Sequence, residues 1–257
     1  MVSKQLQSNE LELLRNYRLT VKDVPEGFSF PCSKLLDEKF VGEFLIELQE
    51  MYQIDEPYVA ASQFMKRYGY NIMVPFLYSM SMFDKRLDFS LTSSVFQSYE
   101  DNGTWLPKLQ LGNLDVTTVE DHRDSWRTAS FKSIFRDHLS PVIEVLSVNA
   151  KVSRHNLWEN AAVYIFWIYE SMMEKEPNHP NLKEDFQALL EAEGTVFGSY
   201  SKNPIRKFYT EKKYISHKDS MLRVRKTCCF YNRLPDSEDG CSTCPQTCNV
   251  KIKEEMR

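Results

Sequence analysis

RHNLWENAAVYIFWIYESMM, from Arg154 to Met173, is the stretch on which the fold turns. Ser153 just ahead of it suits an N-cap, since a serine hydroxyl accepts a hydrogen bond from an unpaired amide of the first helical turn. From Ala161 to Tyr169 the residues are apolar on nearly every side. A surface helix shows one apolar stripe, whereas a helix apolar all round must be wrapped by other elements. The pattern therefore predicts a central helix within a largely helical core, with Trp158 and Trp167 as core side chains.

Upstream, the spacing of Phe40, Val41, Phe44, Leu45 and Leu48 predicts a helix over 37–53. A short helix is expected around Leu11 to Tyr17. Glu56-Pro57 begins a helical segment through Ala60, Phe64 and Tyr68. Ile72 to Phe83 continues it as one buried helix or a pair around Pro75. The period then changes to two: Leu87, Phe89 and Leu91 alternate with polar neighbours, as do Trp105, Leu109 and Leu111. Asp101-Asn102-Gly103 between them is a hairpin signal. Asp121 to Val148 returns to the helical period, with Pro141 marking a break or kink. Glu176-Pro177-Asn178-His179-Pro180 closes the central helix, and Leu182 to Glu193 supplies another. After Asn203-Pro204, Lys207 to Ile215 and Met221 to Thr227 read as strands. The expected fold class is α+β, mostly helical with a small antiparallel sheet. Residues 1–200 form the helical part, with a β-hairpin near 87–111. Residues 201–257 form a C-terminal segment packed on it as one globular unit.

A net charge of −4 argues against nucleic acid as a partner, which needs a strongly basic surface. The longest apolar-leaning run, Ile72 to Phe83, is about 12 residues and contains a proline, while a membrane span needs roughly 20. The first residues contain no apolar stretch of signal-peptide length, so a cytoplasmic protein with no transmembrane segment is expected. Only eight glycines are present. Neither G-x-G-x-x-G nor a P-loop occurs, so the chain shows no nucleotide fingerprint of its own. G-x-S-x-G and H-E-x-x-H are also missing, which removes motif support for hydrolase chemistry. The five histidines have no metal-ligand spacing and read as structural or solvent-exposed.

Five of the six cysteines fall between Cys228 and Cys248, in CCFYNRLPDSEDGCSTCPQTC. In a reducing compartment clustered thiols are metal ligands before they are disulfides. Cys228, Cys229, Cys241 and Cys244 are spaced C-C-x11-C-x2-C. Neighbouring side chains in an extended segment diverge, so placing both sulfurs of Cys228-Cys229 on one zinc demands unusual backbone. A binuclear [2Fe–2S] cluster, with two irons that each take two thiolates, suits the pair better. Structural zinc stays open as the second reading. Cys248 makes a further C-x2-C-x3-C and is a possible alternative ligand, or a spare thiol near the surface. Cys32, alone, is expected to pack as a small apolar residue.

The run RKTCCFYNRLPDSEDGCSTCP, Arg225 to Pro245, resembles the C-terminal signature of the FhuF-like ferric siderophore reductases. Leu157-Trp158-Glu159-Asn160-Ala161-Ala162 is similar to that family's Leu-Trp-x-Asn-Ala-Ala helix, and the likeness extends over essentially the whole chain. It implies a [2Fe–2S] cluster held by Cys228, Cys229, Cys241 and Cys244. The spacer is one residue longer than the family's x10, within Asp236-Ser237-Glu238-Asp239-Gly240. The implied activity is one-electron reduction of a ferric siderophore, hydroxamate or citrate type, with release of Fe(II). The electron comes from an external donor such as a ferredoxin or flavodoxin system. The competing readings are an electron carrier for another partner and a zinc-stabilised interaction module. From Lys202 to Lys226 nine lysines and arginines face only Glu211 and Asp219. That segment reads either as a solvated strand face or as an electropositive surface beside the cluster, with Arg223 and Arg225 as candidate substrate contacts.

Overall fold

The computed structural model describes residues 5–22, 28–120, 122–235, 237 and 239–248. The helices are α1 (Ser8–Arg15), α2 (Glu38–Tyr52), α3 (Pro57–Phe83), α4 (Arg123–Ile134), α5 (Ser140–Asn149), α6 (Arg154–Lys175) and α7 (Leu182–Glu191). The strands are β1 (Leu19–Thr20), β2 (Ser29–Pro31), β3 (Lys85–Leu87), β4 (Ser94–Gln97) and β5 (Glu100–Asp101). They continue with β6 (Thr104–Trp105), β7 (Lys108–Leu111), β8 (Val116–Thr118), β9 (Lys213–Ile215) and β10 (Ser220–Leu222). The architecture is α+β and mostly helical.

α6 is the central helix its composition predicts. The Ser153 hydroxyl accepts from the His155 amide at 3.2 Å, and Leu157, Trp158, Ala161, Ala162, Ile165, Ile168 and Tyr169 are buried. It lies against α3, where the two backbones meet at Gly69. A Cβ built on Gly69 would stand 3.1 Å from Ala161 Cα. α3 is a single helix that runs through Pro75. A mid-helix proline costs about 3 kcal/mol, but this helix is buried from Val59 to Ser81 on almost every side, and that packing holds it through the missing hydrogen bond.

Two expectations are corrected. Of the helical stretch expected over 121–148, Asp121 lies outside the described residues; the helix begins at Arg123 and changes register before Pro141, in one π-helical turn at Phe135–Leu139. Pro141 follows directly in α5, and the backbone stays in the right-handed helical region across the junction. The π turn places His138 fully inside the core, 2.6 Å from the Tyr68 hydroxyl and beside the Phe89 carbonyl. Burial lowers His138 to about 4, against the Phe89 carbonyl, which favours the charged ring. Trp167 is the second correction: it is 45% exposed on α6, although Trp158 on the same helix is core.

The mixed sheet has the order β1-β7-β4-β2, with β1 and β7 parallel and the other pairs antiparallel. Asn102 and Gly103 take φ of 50° and 75° and close the turn between β5 and β6. That turn joins β4 to β7 rather than reaching back to Leu87, which pairs with Val116 of β8. Cys32 is buried, and desolvation pushes its thiol up to about 12, as suits a packing residue.

The C-terminal strands are shorter than predicted. The Asn203 side-chain oxygen accepts from the Ile205 and Arg206 amides at 3.0 and 3.1 Å and starts a 3-10 turn at Arg206–Phe208. Strand β9 therefore begins only at Lys213. After Leu222 the Arg225 amide bonds the Thr243 carbonyl at 3.0 Å, which ties the chain to the cysteine segment instead of extending β10.

Candidate metal centre

The Cys228-Cys229 pair sits on a cradle built by α3 and α6. Glu159, 3% exposed, accepts from the Lys226 amide at 2.6 Å, the Thr227 amide at 2.7 Å and the Thr227 hydroxyl. Asn156 donates its side-chain amide to the Cys228 carbonyl. Ser62 and Gln63 donate to the Cys229 carbonyl at 2.9 and 2.6 Å. Asn160 donates to the Ser62 hydroxyl and carbonyl at 2.8 and 2.9 Å and receives a bond from Arg225. Arg225, 5% exposed, also lies 3.7 Å from the Glu159 carboxylate. The polar residues of LWENAA are thus the ones that hold the cysteine segment, while its apolar residues fill the core.

Phe230 directly after the pair has φ of 59°, a left-handed conformation that a bulky side chain rarely adopts. It is held there by an edge contact with Tyr58 at 4.9 Å, and its amide donates to Cys228 Sγ at 3.3 Å. Cys241 and Cys244 approach from the second segment. Gly240, at φ of 72°, has no room for a side chain: a Cβ would meet Cys244 Sγ at 3.1 Å. The Asp236 and Glu238 part of the longer spacer lies outside the described residues.

Electrostatics favour thiolate at Cys229, while burial raises Cys228. The Cys241 thiol hydrogen-bonds to Cys229 and lowers it; Lys66 and Arg225 act the same way against burial. The same contact, with burial, raises Cys241. Lys66 Nζ stands 3.9 Å from Cys229 Sγ and 4.8 Å from the centre of the Tyr231 ring. Among the described residues no three His, Cys, Asp or Glu side chains are gathered closely enough to hold a metal ion. Cys229 and Cys244 are buried and Cys228 and Cys241 half-buried. Cys248 is not the near-surface thiol expected: it is fully buried in the turn 245–248 and points to the Ser242 carbonyl at 3.7 Å.

The two half-buried cysteines line different clefts. Cys241 forms part of the wall of a cleft of about 430 Å³, with Lys66, Tyr70, Tyr164, Trp167, Arg223 and Arg225. Cys228 borders a smaller groove of about 240 Å³ with Tyr58, Lys151, Asn156 and Phe230. The basic segment does not form one electropositive face. Glu170 binds Arg223 on one oxygen and Lys212 on the other at 2.7 Å, and Arg223 stacks 4.1 Å from the Tyr209 ring. Lys218 donates to the Ser242 carbonyl at 2.7 Å. Arg223 and Arg225 both line the larger cleft, Arg225 as a buried strut. Lys66, Tyr70, Glu170 and Trp167 line the cleft without a signal in the sequence; the neighbours of Trp167 are all apolar, so nothing separated it from the core.

The family model described as "Ferric iron reductase FhuF-like transporter" matches residues 62–214, and the "FhuF 2Fe-2S C-terminal domain" matches residues 225–246. No curated protein matches the sequence. Among solved structures, the aerobactin synthetase IucC from a hypervirulent pathotype of Klebsiella pneumoniae is similar, with a TM-score of 0.49 at 11% identity. The alignment covers 72% of this chain and 37% of that one, so the chain spans little more than a third of its length.

Proposed function

The chain belongs to the FhuF-like ferric iron reductase family and carries that family's [2Fe–2S] domain at its C-terminus; from this premise we propose a cytoplasmic enzyme that reduces ferric siderophores by one electron and releases Fe(II). The donor set fits the cluster. Four thiols lie on two short segments, Lys66 and Arg225 balance their charge, amides point at sulfur, and Gly240 leaves the space a side chain would take. We place the ligands at Cys228, Cys229, Cys241 and Cys244, with Cys248 left out because its thiol turns to Ser242. When bound, the cluster supplies one electron, at a potential that in plant-type centres is roughly −400 mV.

The observation that carries the reading is the cleft with Cys241 in its wall. Trp167, Tyr70 and Tyr164 offer a chelate an apolar shelf. Arg223, held by Glu170 and Tyr209, presents a fixed guanidinium to its oxygens. Hydroxamate and carboxylate oxygens are hard donors that hold Fe(III) far better than Fe(II). The iron gains the electron, its complex weakens, and Fe(II) leaves without any bond being made to the protein. The electron is replaced by an external ferredoxin or flavodoxin. Residues 1–200 and 201–257 work as one unit in this reading, since Ser62, Gln63, Asn156 and Glu159 of the first part hold the cysteines of the second.

The test uses the cluster-loaded protein, reduced and mixed with ferric hydroxamate or ferric citrate chelates. Reoxidation that saturates with chelate concentration, together with quenching of tryptophan fluorescence by the redox-inert Ga(III) chelate that is lost in Trp167→Phe, supports the enzyme. Reoxidation that stays linear and indifferent to the chelate marks a carrier without a binding site. A colourless protein with stoichiometric zinc would overturn both.

A further inference from the structure

Two of the four cysteines are half-buried and line clefts that share no lining residue. The cleft at Cys241 is accounted for by the chelate. The groove at Cys228 has a different character. At about 240 Å³ it is smaller than the roughly 300–1,000 Å³ of small-molecule sites, so it does not suit a flavin or dinucleotide. Its apolar part is the Tyr58–Phe230 pair, and Phe230 is joined through its amide to Cys228 Sγ.

Around this groove the surface is basic. Lys151 lines it and is exposed. Arg154 and His155 occupy the first turn of α6, next to Asn156, which bonds the Cys228 carbonyl. Lys226 lies two residues before Cys228, with its side chain in solvent. Lys207 completes the patch, and like charges face one another within it. Lys207 is lowered by burial and by Lys226 against Glu159, which raises it, and His155 is lowered by burial and then by Lys207 and Arg154. Glu144 pairs with Arg154 at 2.8 Å and offsets part of that charge. The whole chain carries −4, so a negatively charged partner is repelled on average and steered only to such a local patch.

We propose that the Cys228 groove and its rim of Lys151, Lys207 and Lys226 form the docking face for a small acidic one-electron carrier protein, so that electrons arrive at Cys228 and depart at Cys241. The inference rests on the reductase reading and supplies its reductant. The reduced carrier loses one electron, the cluster-bearing chain gains it, and no proton or covalent bond is exchanged. Separate faces let the carrier and the chelate bind at the same time.

The test takes the cluster-loaded full chain with an acidic plant-type [2Fe–2S] ferredoxin and an acidic flavodoxin as probes. Binding of the oxidised probe and the rate of electron transfer from the reduced probe are measured between 20 and 300 mM salt (roughly a fourfold change in Debye length). The proposal expects binding by at least one probe, weakened by salt. It expects a loss of tenfold or more in affinity and rate for the Lys151→Glu/Lys207→Glu double variant at low salt. Lys212→Glu, at the other cleft, should bind the probe as the wild type does. Unchanged affinity in the double variant, an equal loss in Lys212→Glu, or no binding of either probe by the wild type overturns it. Chelate-driven reoxidation of the chemically reduced protein is measured separately. If the double variant keeps that reaction and also keeps probe affinity, the docking face fails while the reductase reading stands. If the wild type lacks that reaction, the reductase reading itself fails.

Discussion

Glu159 satisfies three donors on the residues immediately before Cys228 and faces Arg225 inside the protein. Replacing it by Gln keeps the shape and removes the charge. The expected loss is about 3 kcal/mol, because buried Arg225 loses the carboxylate 3.7 Å away and the amides lose a strong acceptor. Chemical denaturation should show that loss, and iron and sulfide per chain should fall with it; unchanged loading would leave Glu159 no part in holding the cysteines. Lys66 acts on the same site through charge. Its ammonium beside Cys229 Sγ stabilises the added electron, so Lys66→Met should lower the midpoint potential by on the order of 60 mV, a tenfold change in a one-electron equilibrium. Redox titration followed by visible absorbance reads this directly, and an unmoved potential would show that solvent screens the contact. Cys248→Ser should load with iron as the wild type does, since Cys248 faces the Ser242 carbonyl rather than the other sulfurs. A colourless Cys248→Ser protein would make Cys248 a ligand.

At the scale of elements, the contact between α3 and α6 sets the cradle, because Ser62 and Gln63 lie on one helix and Asn156, Glu159 and Asn160 on the other. Gly69 allows that approach, and Gly69→Val has no free space beside Ala161. About 1–3 kcal/mol of destabilisation is expected, with weaker cluster retention as the two helices separate. Wild-type stability in the Gly69→Val protein would contradict the role given to this contact. The π turn has its own signature. His138 titrates near 4 in the fold against 6.5 when unperturbed, so the neutral ring is the folded form. Its contribution is complete above pH 6.5 and is lost as the pH falls from there toward 4, by up to about 3 kcal/mol. The difference in unfolding free energy between wild type and His138→Gln should therefore shrink between pH 7 and pH 4.5, and a constant difference would contradict the assignment. The sequence made α6 legible because its apolar residues cover every side. It did not reveal the π turn: Pro141 is the visible breaker, while the inward pull on His138 comes from Tyr68 and Phe89, 70 and 49 residues away. The strand ends at Lys213 and Leu222 were hidden for a similar reason. A side-chain bond from Asn203 and a backbone bond to Thr243 override the local alternation.

For the molecule as a whole, the cysteine spacing and the LWENAA run were enough to point to the cluster and to the helix beneath it. What they could not convey is direction, since exposure of a sulfur is a property of the packed fold. Cys228 and Cys241 line separate clefts, and Trp167 leaves an otherwise buried helix to line one of them. The positive run from Lys202 to Lys226 likewise divides once folded. Lys212, Arg223 and Arg225 line the cleft at Cys241, and Lys207 and Lys226, which face one another, do not. The account stands most directly on a single turnover. The protein, loaded with one cluster and chemically reduced without excess reductant, is mixed anaerobically with a ferric siderophore and an Fe(II)-specific chromogenic trap. One Fe(II) trapped for each cluster reoxidised, at matching rates, is the predicted result. Reoxidation without Fe(II), or a cluster that stays reduced beside the chelate, would contradict it.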